Sequence, residues 1–421
     1  MEKKIYTVAI IGVGSRGALA YGRKINGIKD KFKIVSLCDI KQCRLDTYGD
    51  EFGVPENTRF DTEEEFFKER RADILIIATL DQDHVRHCLE AFRLGYDVLL
   101  EKPITADADE CKTLLDAQKK YGNKALVCHV LRYAPAYLKV AELIDKGEIG
   151  RLVAIEATEP VGYDHQAHSY VRGNWRDTKE TSPMILAKCC HDLDLLQWYA
   201  KSKCKSISSV GDLTFFNEAN APEGAAKRCV ECKYCDTCAY SAKVLYLDNW
   251  FKLDCPVDYW PYNVAAEAPL TEKKLRDAIE NGPYGRCVFH CDNDAVDHQM
   301  VQMTFENGVK ACLTMTAFVT GYGRHSTYFG TAGVIDLDDE YVTLRKFGGE
   351  TVRHSLKKTQ EGGHDHGGGD TGLICSLYEM LEGRAPAGTS LEASIESHLM
   401  GIAAEESRLD GGRLVYVHKC K

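Results

Sequence analysis

The chain has 421 residues, of which 44% are hydrophobic and 28% are charged, and its formal net charge at pH 7 is −10. This length allows two domains with separate cores, and the composition is that of a globular protein. The negative charge argues against binding to nucleic acid or to an acidic membrane surface, and no stretch is long and apolar enough to span a bilayer.

The first residues and the cysteines indicate the cellular compartment in which the protein is expected. Residues 1–12 contain an apolar run that leads directly into a glycine-rich turn without a small-residue cleavage site, so they are predicted to be a strand rather than a signal peptide. Apart from one dense cluster, the 18 cysteines are scattered through the sequence. Scattered cysteines are mostly buried free thiols, and we therefore expect a reducing cytoplasm.

The first predicted strand, within residues 5–11, runs into a turn with the G-x-G-x-x-G spacing. Gly12 permits the tight turn, Gly14 lets the backbone approach a pyrophosphate, and Gly17 lets the next helix pack on the sheet. That helix would direct its unpaired amides towards the phosphates. The turn therefore predicts a dinucleotide-binding site that includes Gly12, Gly14, Ser15, Arg16 and Gly17.

The second predicted strand, residues 33–39, indicates which dinucleotide binds. It ends in Asp39, at the distance past the turn where an acid hydrogen-bonds the adenosine ribose. Because a carboxylate at this position repels a 2′-phosphate, NAD is predicted over NADP. Arg44 lies nearby and is able to weaken that preference.

After this strand, predicted helices and strands alternate. Helices are predicted at residues 40–53, 63–69, 84–94 and 106–120, and strands at 73–79, 96–100 and 124–130. This alternation predicts a doubly wound parallel sheet in an N-terminal domain of residues 1–130. Ligands of such sheets bind beyond the carboxyl ends of the strands, where the sequence places Gly12, Asp39, Thr79, Lys102 and His129.

The pattern changes in the remaining residues, 131–421, which are predicted to form a second α/β domain. Strands are predicted at 151–158, 296–305, 309–318, 326–330 and 341–347, a helix at 185–199, and a polar, aromatic loop at 168–176. The later strands alternate apolar and polar residues, which favours an antiparallel or mixed sheet. Residues 212–285 show few regular signals and form a cysteine-containing insertion.

Within this insertion, Cys229, Cys232, Cys235 and Cys238 follow one another at C-x₂-C-x₂-C-x₂-C spacing. Four thiolates this close suit a tetrahedral metal, and a structural zinc ion is favoured over an iron–sulfur cluster because the longer last interval and proline of ferredoxin runs are missing. One of the four could be replaced as a ligand by Cys255, Cys287 or Cys291. We expect the metal to stabilise the insertion rather than to activate a substrate.

Several motifs in this order and spacing resemble the Gfo/Idh/MocA oxidoreductases, a family that includes inositol and glucose–fructose dehydrogenases. They are GVGSRG in the glycine turn, Asp39, ATLDQDH at 78–84, EKP at 101–103, LRYAP at 131–135 and CHDLD at 190–194. The resemblance implies an N-terminal Rossmann domain and a C-terminal α/β domain with a large open, mostly antiparallel sheet. It further implies reversible oxidation of a sugar or polyol hydroxyl by a homodimer or homotetramer.

The resemblance also implies roles for individual residues. Lys102 matches the catalytic lysine of the family and His191 its catalytic histidine. Where family members often carry an aspartate four residues before that histidine, this chain has Ala187, followed by Lys188, which becomes a third catalytic candidate. The predicted cofactor site is completed by four residues in or beside the strand-end motifs, Thr79, His84, Glu101 and Lys102.

The predicted reaction needs hydride loss from carbon and proton loss from oxygen. Lys102 is suited to donate a hydrogen bond to the developing alkoxide, and His191, with an unperturbed pKa of about 6.5, is the natural base. Sugars are bound by amide, guanidinium, imidazole and indole groups. The substrate candidates are therefore Arg132, Tyr133, His168, Arg172, Asn174, Trp175, Asp192, Asn293 and Asp294.

Three functions are compatible with these residues. The first is an NAD-dependent dehydrogenase acting on a sugar, a sugar derivative or a cyclitol. The second is an enzyme that keeps NAD bound and cleaves a glycoside through transient ring oxidation and elimination, without net redox change. The third is a non-catalytic regulator that binds NAD, which the joint presence of Lys102 and His191 argues against.

Overall fold

The computed structural model describes residues 4–356 and 365–418. The chain divides into two compact units. The first comprises Met1–Ala134, Val257–Leu270 and Gln360–Ile395, and the second comprises Pro135–Pro256, Thr271–Thr359 and Glu396–Lys421. The first unit thus contains two segments that follow the N-terminal Rossmann region by more than a hundred residues.

The first unit contains a six-stranded parallel sheet, which confirms the predicted doubly wound sheet. Its strands are β1 (Tyr6–Ile11), β2 (Phe32–Cys38), β3 (Arg59–Phe60), β4 (Ile74–Ile77), β5 (Asp97–Leu100) and β6 (Ala125–Val127). Their order in the sheet is β3-β2-β1-β4-β5-β6, and every pair is parallel. From β1 the chain adds β2 and β3 on one side of the sheet, and it then adds β4, β5 and β6 on the other side. Sheets of this kind bind their ligands where the direction changes, here between β1 and β4.

The core of the first unit explains why its late segments belong to it. Strand β4 is an uninterrupted apolar run whose four residues are all buried, as expected for a strand covered on both faces. The helix Gly369–Leu381 adds Leu373, Ile374 and Leu377 to the same apolar cluster as Val8 and Ile10 of β1. Burial of this helix face therefore draws the late segment into the first unit.

The described helices of the first unit include those that the sequence predicts, but about half of them, mostly of three or four residues, are not predicted. They are Ser15–Gly22, Arg23–Asn26, Gln42–Phe52, Glu56–Thr58, Glu63–Phe66, Asp81–Asp83, His84–Leu94, Ala108–Tyr121, Val130–Tyr133, Tyr262–Ala265, His366–Gly368 and Gly369–Leu381. A further helix, Leu391–Leu409, contains residues of both units. None of the described helices is long and apolar enough to cross a membrane.

The second unit contains a nine-stranded sheet that is mostly antiparallel, again as predicted. Its strands are β7 (Leu152–Pro160), β8 (Cys204–Asp212), β9 (His298–Phe305), β10 (Lys310–Thr316), β11 (His325–Gly330), β12 (Gly333–Leu337), β13 (Tyr341–Lys346), β14 (Thr351–Ser355) and β15 (Val415–Tyr416). Their order is β14-β13-β12-β11-β7-β10-β9-β8-β15. Strands β7 and β10 pair in parallel, and the other pairs are antiparallel.

The remaining helices belong to the second unit. They are Pro135–Asp145, Tyr163–His165, Gln166–Arg172, Met184–Ala187, Cys190–Ala200, Glu218–Asn220, Cys229–Glu231, Lys243–Asp248, Asn249–Lys252, Glu272–Glu280 and Pro283–Gly285. The loop predicted at residues 168–176 is wrong in its first half, because Gln166–Arg172 is helical and all seven of its residues are buried. The helix predicted at 185–199 is two helices, interrupted at Lys188 and Cys189.

Candidate active site

The glycine turn after β1 has the geometry that its spacing predicts. Gly12 has a φ of +84°, and a Cβ there would lie 2.5 Å from the carbonyl carbon of Ala78. A Cβ on Gly17 would overlap the carbonyl oxygen of Gly12. Both positions therefore require glycine, and the turn leads into the helix Ser15–Gly22, whose first amides are free of intrahelical partners. This is a cradle for an anionic group such as a pyrophosphate.

Asp39 follows β2 and is tied to the glycine turn. Its Oδ2 accepts a hydrogen bond from the backbone amide of Val13 at 2.7 Å, and its Oδ1 accepts one from the amide of Lys41 at 2.9 Å. Each carboxylate oxygen can accept a second hydrogen bond, so the buried side chain keeps capacity for a ribose hydroxyl. The structure thus fixes Asp39 in position without exhausting its acceptors.

Two basic side chains beside Asp39 are held by an acid that the sequence analysis did not find. Arg44 places Nη1 3.5 Å from Asp39 Oδ2, and its Nε and Nη2 donate to the two carboxylate oxygens of Glu267, each at 2.9 Å. Lys41 Nζ donates to Glu267 at 2.6 Å. Burial alone would raise the pKa of Glu267, but the hydrogen bonds from Arg44 and Lys41 lower it. Glu267 is therefore a carboxylate that pairs with both cations and, together with Asp39, balances their charge.

Arg16 and Glu101, both predicted in the cofactor site, form a charged network with a third residue. Arg16 Nε lies 2.7 Å from a carboxylate oxygen of Glu101, and its Nη2 lies 2.7 Å from Asp370 Oδ1. Burial opposes ionisation of both acids, but the positive charge of Arg16 lowers the pKa of each. The other oxygen of Glu101 accepts the backbone amide of Lys102 at 2.9 Å. The network therefore fixes the backbone from which the Lys102 side chain leaves.

Thr79 and His84 connect the ends of β4 and β5. The Nε2 of His84 lies 3.1 Å from the carbonyl oxygen of Thr79, and its Nδ1 lies 2.6 Å from that of Pro103. His84 is 1% exposed, whereas Thr79 is half-buried and places its hydroxyl 3.2 Å from His87 Nδ1. Their contacts hold the backbone beside Lys102, and direct contact of either side chain with a cofactor stays a prediction.

His129 follows β6 and is fully buried. Burial holds its pKa well below the usual value, and the positive charges of Arg132 and Lys102 lower it further. His129 is therefore a neutral imidazole near the charged groups of this sheet edge. Of the predicted substrate residues in the first unit, Arg132 donates to the carbonyl of Gly388 at 3.4 Å, and Tyr133 has its hydroxyl 2.9 Å from Thr389 Oγ1.

In the second unit, His191 lies on the first turn of the helix Cys190–Ala200 and is 6% exposed. The next residue, Asp192, receives Arg324 Nε at 2.8 Å and Nη2 at 3.3 Å. The same Arg324 lies 2.6 Å from the buried carboxylate of Glu159 at the end of β7. Burial and the charge of Glu159 raise the pKa of Asp192, while Arg324 opposes the shift. Arg324 therefore joins two acids that the sequence separates by more than thirty residues.

Lys188, the third catalytic candidate, completes this cluster. Its Nζ lies 3.3 Å from Glu159 Oε1 and 3.5 Å from His165 Nδ1. Lys188 sits in the interruption between two helices, three residues before His191. Lys188 thus lies next to the imidazole of His165 and the buried carboxylate of Glu159. This arrangement is suited to proton transfer.

Two of the predicted substrate residues are buried in the second unit. His168 is 2% exposed, stacks on Tyr284 with ring centroids 4.9 Å apart, and places Nδ1 2.9 Å from the hydroxyl of Tyr246. Burial lowers the pKa of His168 to about 3, so the ring is neutral. Arg172 is 1% exposed and extends to the cysteine cluster. The described contacts of these side chains are thus with Tyr246 and Tyr284 for His168 and with the cysteine cluster for Arg172, and their contact with a substrate stays a prediction.

Other predicted substrate residues lie on a neighbouring surface of this unit. Asn174 is exposed and Trp175 is half-buried. Asp294 accepts from the amide and the hydroxyl of Thr178, each at 2.7 Å, and Asn293 donates to the carbonyl of Phe216 at 3.2 Å. These bonds hold the segment that carries Asn174 and Trp175, and their contact with a substrate stays a prediction.

The clustered cysteines are close in space as well as in sequence. Cys229, Cys232, Cys235 and Cys238 line one cavity of about 270 Å³, together with Cys287 from beyond the helix Glu272–Glu280. All are free thiols. Within residues 4–356 and 365–418, no three His, Cys, Asp or Glu side chains converge as metal ligands, so the predicted zinc site is not preformed.

Comparison with known proteins supports the reading of this geometry. Residues 6–129 match the family model described as the oxidoreductase family with an NAD-binding Rossmann fold, and residues 137–235 match the GFO/IDH/MocA C-terminal domain. The chain is thus an oxidoreductase with an NAD-binding Rossmann domain. It belongs to the Gfo/Idh/MocA family, as its motifs predict.

Curated relatives share this family at low identity. A Bacillus subtilis (strain 168) protein named as an oxidoreductase, YteT, is 23% identical over 77% of this chain and 76% of its own length. An inositol 2-dehydrogenase/D-chiro-inositol 3-dehydrogenase of Lactiplantibacillus plantarum is 23% identical over 49% of this chain, and the match spans about half (55%) of that enzyme.

Solved structures share the fold over almost the whole chain. An oxidoreductase from Agrobacterium radiobacter, in complex with NAD⁺, L-tartaric acid and magnesium, is 15% identical with a TM-score of 0.70, covering 98% of this chain and 99% of its own. The WlbA dehydrogenase of Bordetella pertussis, in complex with NADH and UDP-GlcNAcA, is 16% identical with a TM-score of 0.67, covering 99% and 98%. At these identities the likeness establishes the fold.

Proposed function

We propose that this protein is an NAD-dependent oxidoreductase that oxidises or reduces a secondary hydroxyl of a sugar, a sugar derivative or a cyclitol. The observation that carries the proposal is the sheet edge of the first unit. There the glycine turn and Asp39 provide a dinucleotide cradle, and the Glu101 network fixes the backbone of Lys102. The scattered free thiols support a cytoplasmic location, which cell fractionation tests. The family resemblance supports a homodimer or homotetramer, which light scattering tests.

The residues of the cradle fit a nicotinamide dinucleotide. Gly12 and Gly14 would leave room for the pyrophosphate, and the amides at the start of the helix Ser15–Gly22 would bind it. Asp39 has acceptors left for the adenosine ribose. The chemistry that a bound nicotinamide supplies is acceptance of a hydride from carbon.

The preference for NAD over NADP is supported by two acids rather than one. A 2′-phosphate would bring about two negative charges to Asp39. Arg44 and Lys41 are the nearby cations able to bind it, but both are already paired with Glu267. Glu267 therefore withholds the positive charge that a 2′-phosphate needs, and it selects for NAD together with Asp39.

We assign the acid–base roles to Lys102 and His191. Lys102 would donate a hydrogen bond to the oxygen of the reacting carbinol and stabilise negative charge as it develops there. His191 would accept the hydroxyl proton in the oxidative direction and return it in the reductive direction. The contacts of Arg324 with Asp192 fix the start of the helix that carries His191.

The proposed substrate class is supported by the relatives and by the side chains present. Inositol is a substrate in the printed name of one relative, and a nucleotide sugar is bound in one solved structure. In this chain, Lys188, Asp192 and the exposed Asn174 supply the cationic, anionic and amide groups that pair with hydroxyls. Which hydroxyl reacts is left to experiment.

The direct test is a substrate screen with the purified full-length chain. Binding of NADH and NADPH would first be measured by fluorescence, and inositols, hexoses, hexuronates and nucleotide sugars would then be offered with NAD⁺. We expect NAD⁺ to be reduced to NADH with members of this panel, and NADP⁺ to be reduced to NADPH more slowly. Absence of binding of either cofactor would refute the proposal, and binding without turnover of any compound would favour a regulator.

A second candidate function is favoured by the surroundings of Lys188. Redox-neutral cleavage of a glycoside needs an additional group to move the proton during elimination, and Lys188 with His165 and Glu159 offers one. This function predicts that NAD(H) remains bound through purification. It also predicts that a free sugar is released from a glycoside without accumulation of NADH.

A further inference from the structure

The thiol-lined cavity of the second unit is built from two distant parts of the chain. Successive tight turns run through residues 229–238, in which the amide of Cys232 donates to the carbonyl of Cys229 at 3.1 Å and that of Cys235 to Cys232 at 2.9 Å. Cys287 joins them because its amide donates to the carbonyl of Lys227 at 2.9 Å. Backbone pairing therefore fixes the fifth thiol beside the first four.

The guanidinium of Arg172 is buried beside this cavity, and thiols lie next to it where a negatively charged partner would be expected. Arg172 is 1% exposed, and it donates from Nε to the carbonyl of Arg286 at 2.7 Å and from Nη2 to that of Tyr240 at 2.6 Å. Its Nη2 also lies 3.5 Å from the sulfur of Cys229. Among the residues that the structure describes, no carboxylate pairs with it. Burying a guanidinium without a compensating negative charge is strongly unfavourable.

The charged residues near Arg172 do not neutralise its positive charge. Arg228 donates to the carbonyls of Ile279 and Gly282, at 3.1 and 2.7 Å. Arg286 pairs with Asp292 at 2.6 Å, and the same carboxylate also pairs with Arg176 at 3.0 Å, so Asp292 leaves no negative charge for Arg172. The groups that can supply negative charge next to Arg172 are therefore the cysteines, provided that they are thiolates.

We propose that four of the five cavity thiols bind one zinc ion, and that the resulting anionic centre neutralises Arg172. Each thiol that becomes a ligand releases one proton, so four thiolates and Zn²⁺ carry a net charge of −2. Zinc accepts four sulfur ligands in tetrahedral geometry, and soft thiolates select it over magnesium or calcium. Because the thiols line the cavity without converging, binding turns their side chains towards one point.

Such a centre has a structural role that is separate from the proposed oxidoreductase activity. It would join the turn at residues 229–238 to the segment that contains Cys287, and so close the loop that includes the helix Glu272–Glu280. Structural zinc sites with four thiolates contribute directly to the stability of the fold around them. We therefore expect removal of the metal to unfold the parts of this insertion that belong to the second unit before the first unit unfolds.

The test begins with the metal content of the purified wild-type chain. We expect one zinc ion per chain, and we expect replacement by Co²⁺ to give the intense sulfur-to-metal charge-transfer absorption of a tetrathiolate. The double variant Cys229→Ser/Cys287→Ser leaves three cavity thiols and should lose the metal, whereas Cys43→Ser, at an exposed free cysteine, should keep it. A wild-type chain without stoichiometric metal overturns the proposal, and iron with acid-labile sulfide overturns the assignment to zinc.

A second pair of variants tests the role of Arg172 without altering a ligand. Arg172→Met removes the buried charge and should weaken zinc binding at least tenfold in competition with a chromophoric chelator. Arg172→Lys keeps the charge and should retain most of the affinity. Equal zinc affinity of the wild type and both variants would show that the centre does not neutralise Arg172.

Discussion

Two arginines, one in each unit, differ in what neutralises them. Arg16 in the first unit lies 2.7 Å from Glu101 and 2.7 Å from Asp370, so two carboxylates surround one guanidinium. Arg172 in the second unit is more deeply buried, and its described partners are two backbone carbonyls, the hydroxyl of Tyr246 and a thiol. The first cation is balanced by the chain alone, whereas the second needs negative charge from ionised cysteines.

The contrast shows how to distinguish a cation that holds the fold together from one that binds a ligand or takes part in a reaction. A cation that is fully balanced by carboxylates, such as Arg16, holds backbone in place. Arg172, which no described carboxylate balances, points to a ligand. Lys102 is the cation of the first unit for which we propose a chemical role in the reaction, so its removal is the most severe test.

Lys102→Met should nearly abolish turnover. Loss of the group that stabilises the developing alkoxide is expected to lower kcat by about 10³-fold, within the usual range for one acid–base group. Affinity for NAD(H) should fall much less, because the glycine turn and Asp39 remain. Steady-state kinetics on a substrate found in the screen, together with NADH fluorescence titration, measures both quantities.

Lys112→Met is the matched control for this substitution. Lys112 lies on the helix Ala108–Tyr121, and its side chain is 72% exposed. Its removal should leave kcat within about twofold of the wild type, as expected for a surface change. If both lysine variants lost activity equally, Lys102 would have no special role and the proposed mechanism would be wrong.

The next test removes one of the two carboxylates around Arg16. Asp370→Asn should destabilise the first unit by about 3 kcal/mol at pH 7, since breaking a buried pair leaves a poorly compensated charge. Chemical denaturation followed by intrinsic fluorescence measures the loss. Asp83→Asn is the control, because its pair with Arg86 lies at the surface and is worth about 1 kcal/mol or less.

The stability difference between the wild type and Asp370→Asn should decrease as the pH falls. Burial raises the pKa of Asp370, but Arg16 and His366 lower it to well below its usual range. A carboxyl group whose folded-state pKa is lowered stabilises the protein above its unfolded-state pKa of about 3.9. That contribution is lost as the pH falls towards the folded-state pKa. The wild type and Asp370→Asn should therefore converge in stability in acid, and a constant difference would contradict the ion-pair account.

Much of the first unit is predictable because its signals are local. The helix His84–Leu94 begins and ends where its amphipathic pattern predicts, and Gly95, with a φ of +86°, ends it. In the second unit, β8 escapes prediction because its buried positions include Ser206 and Ser209, which give no apolar alternation. The return of residues 257–270 and 360–395 to the first unit also has no local signal.

In the candidate site, too, some residues have a local sequence signal and others have none. Asp39 and Lys102 follow buried strands directly, so the sequence places them at the sheet edge. The acids that complete this edge come from far along the chain, and no spacing rule identifies them. Glu267 pairs with Arg44, and Asp370 pairs with Arg16. The burial of Arg172 beside cysteines also has no signal in the sequence, and its contact with a substrate stays a prediction.

The smallest expected effect concerns Arg44, a cation that is balanced by Asp39 and Glu267. Glu267→Gln should shift the ratio of NADPH to NADH affinity towards NADPH by about tenfold, which corresponds to about 1.4 kcal/mol. The physical reason is that Arg44 and Lys41 lose their shared carboxylate and become available to a 2′-phosphate. Fluorescence titration with both cofactors measures the ratio without a substrate.

Asp258→Asn distinguishes this charge effect from loosening of residues 257–270. Asp258 belongs to the same segment but pairs with Arg23, at 2.9 Å, instead of with Arg44. It should leave the cofactor ratio unchanged, and the effect of Glu267→Gln should shrink in about 0.5 M salt, because screening weakens half-exposed charges. An equal shift in both variants would make Glu267 a packing residue. Failure of the wild type to bind either cofactor would instead refute the proposed function itself.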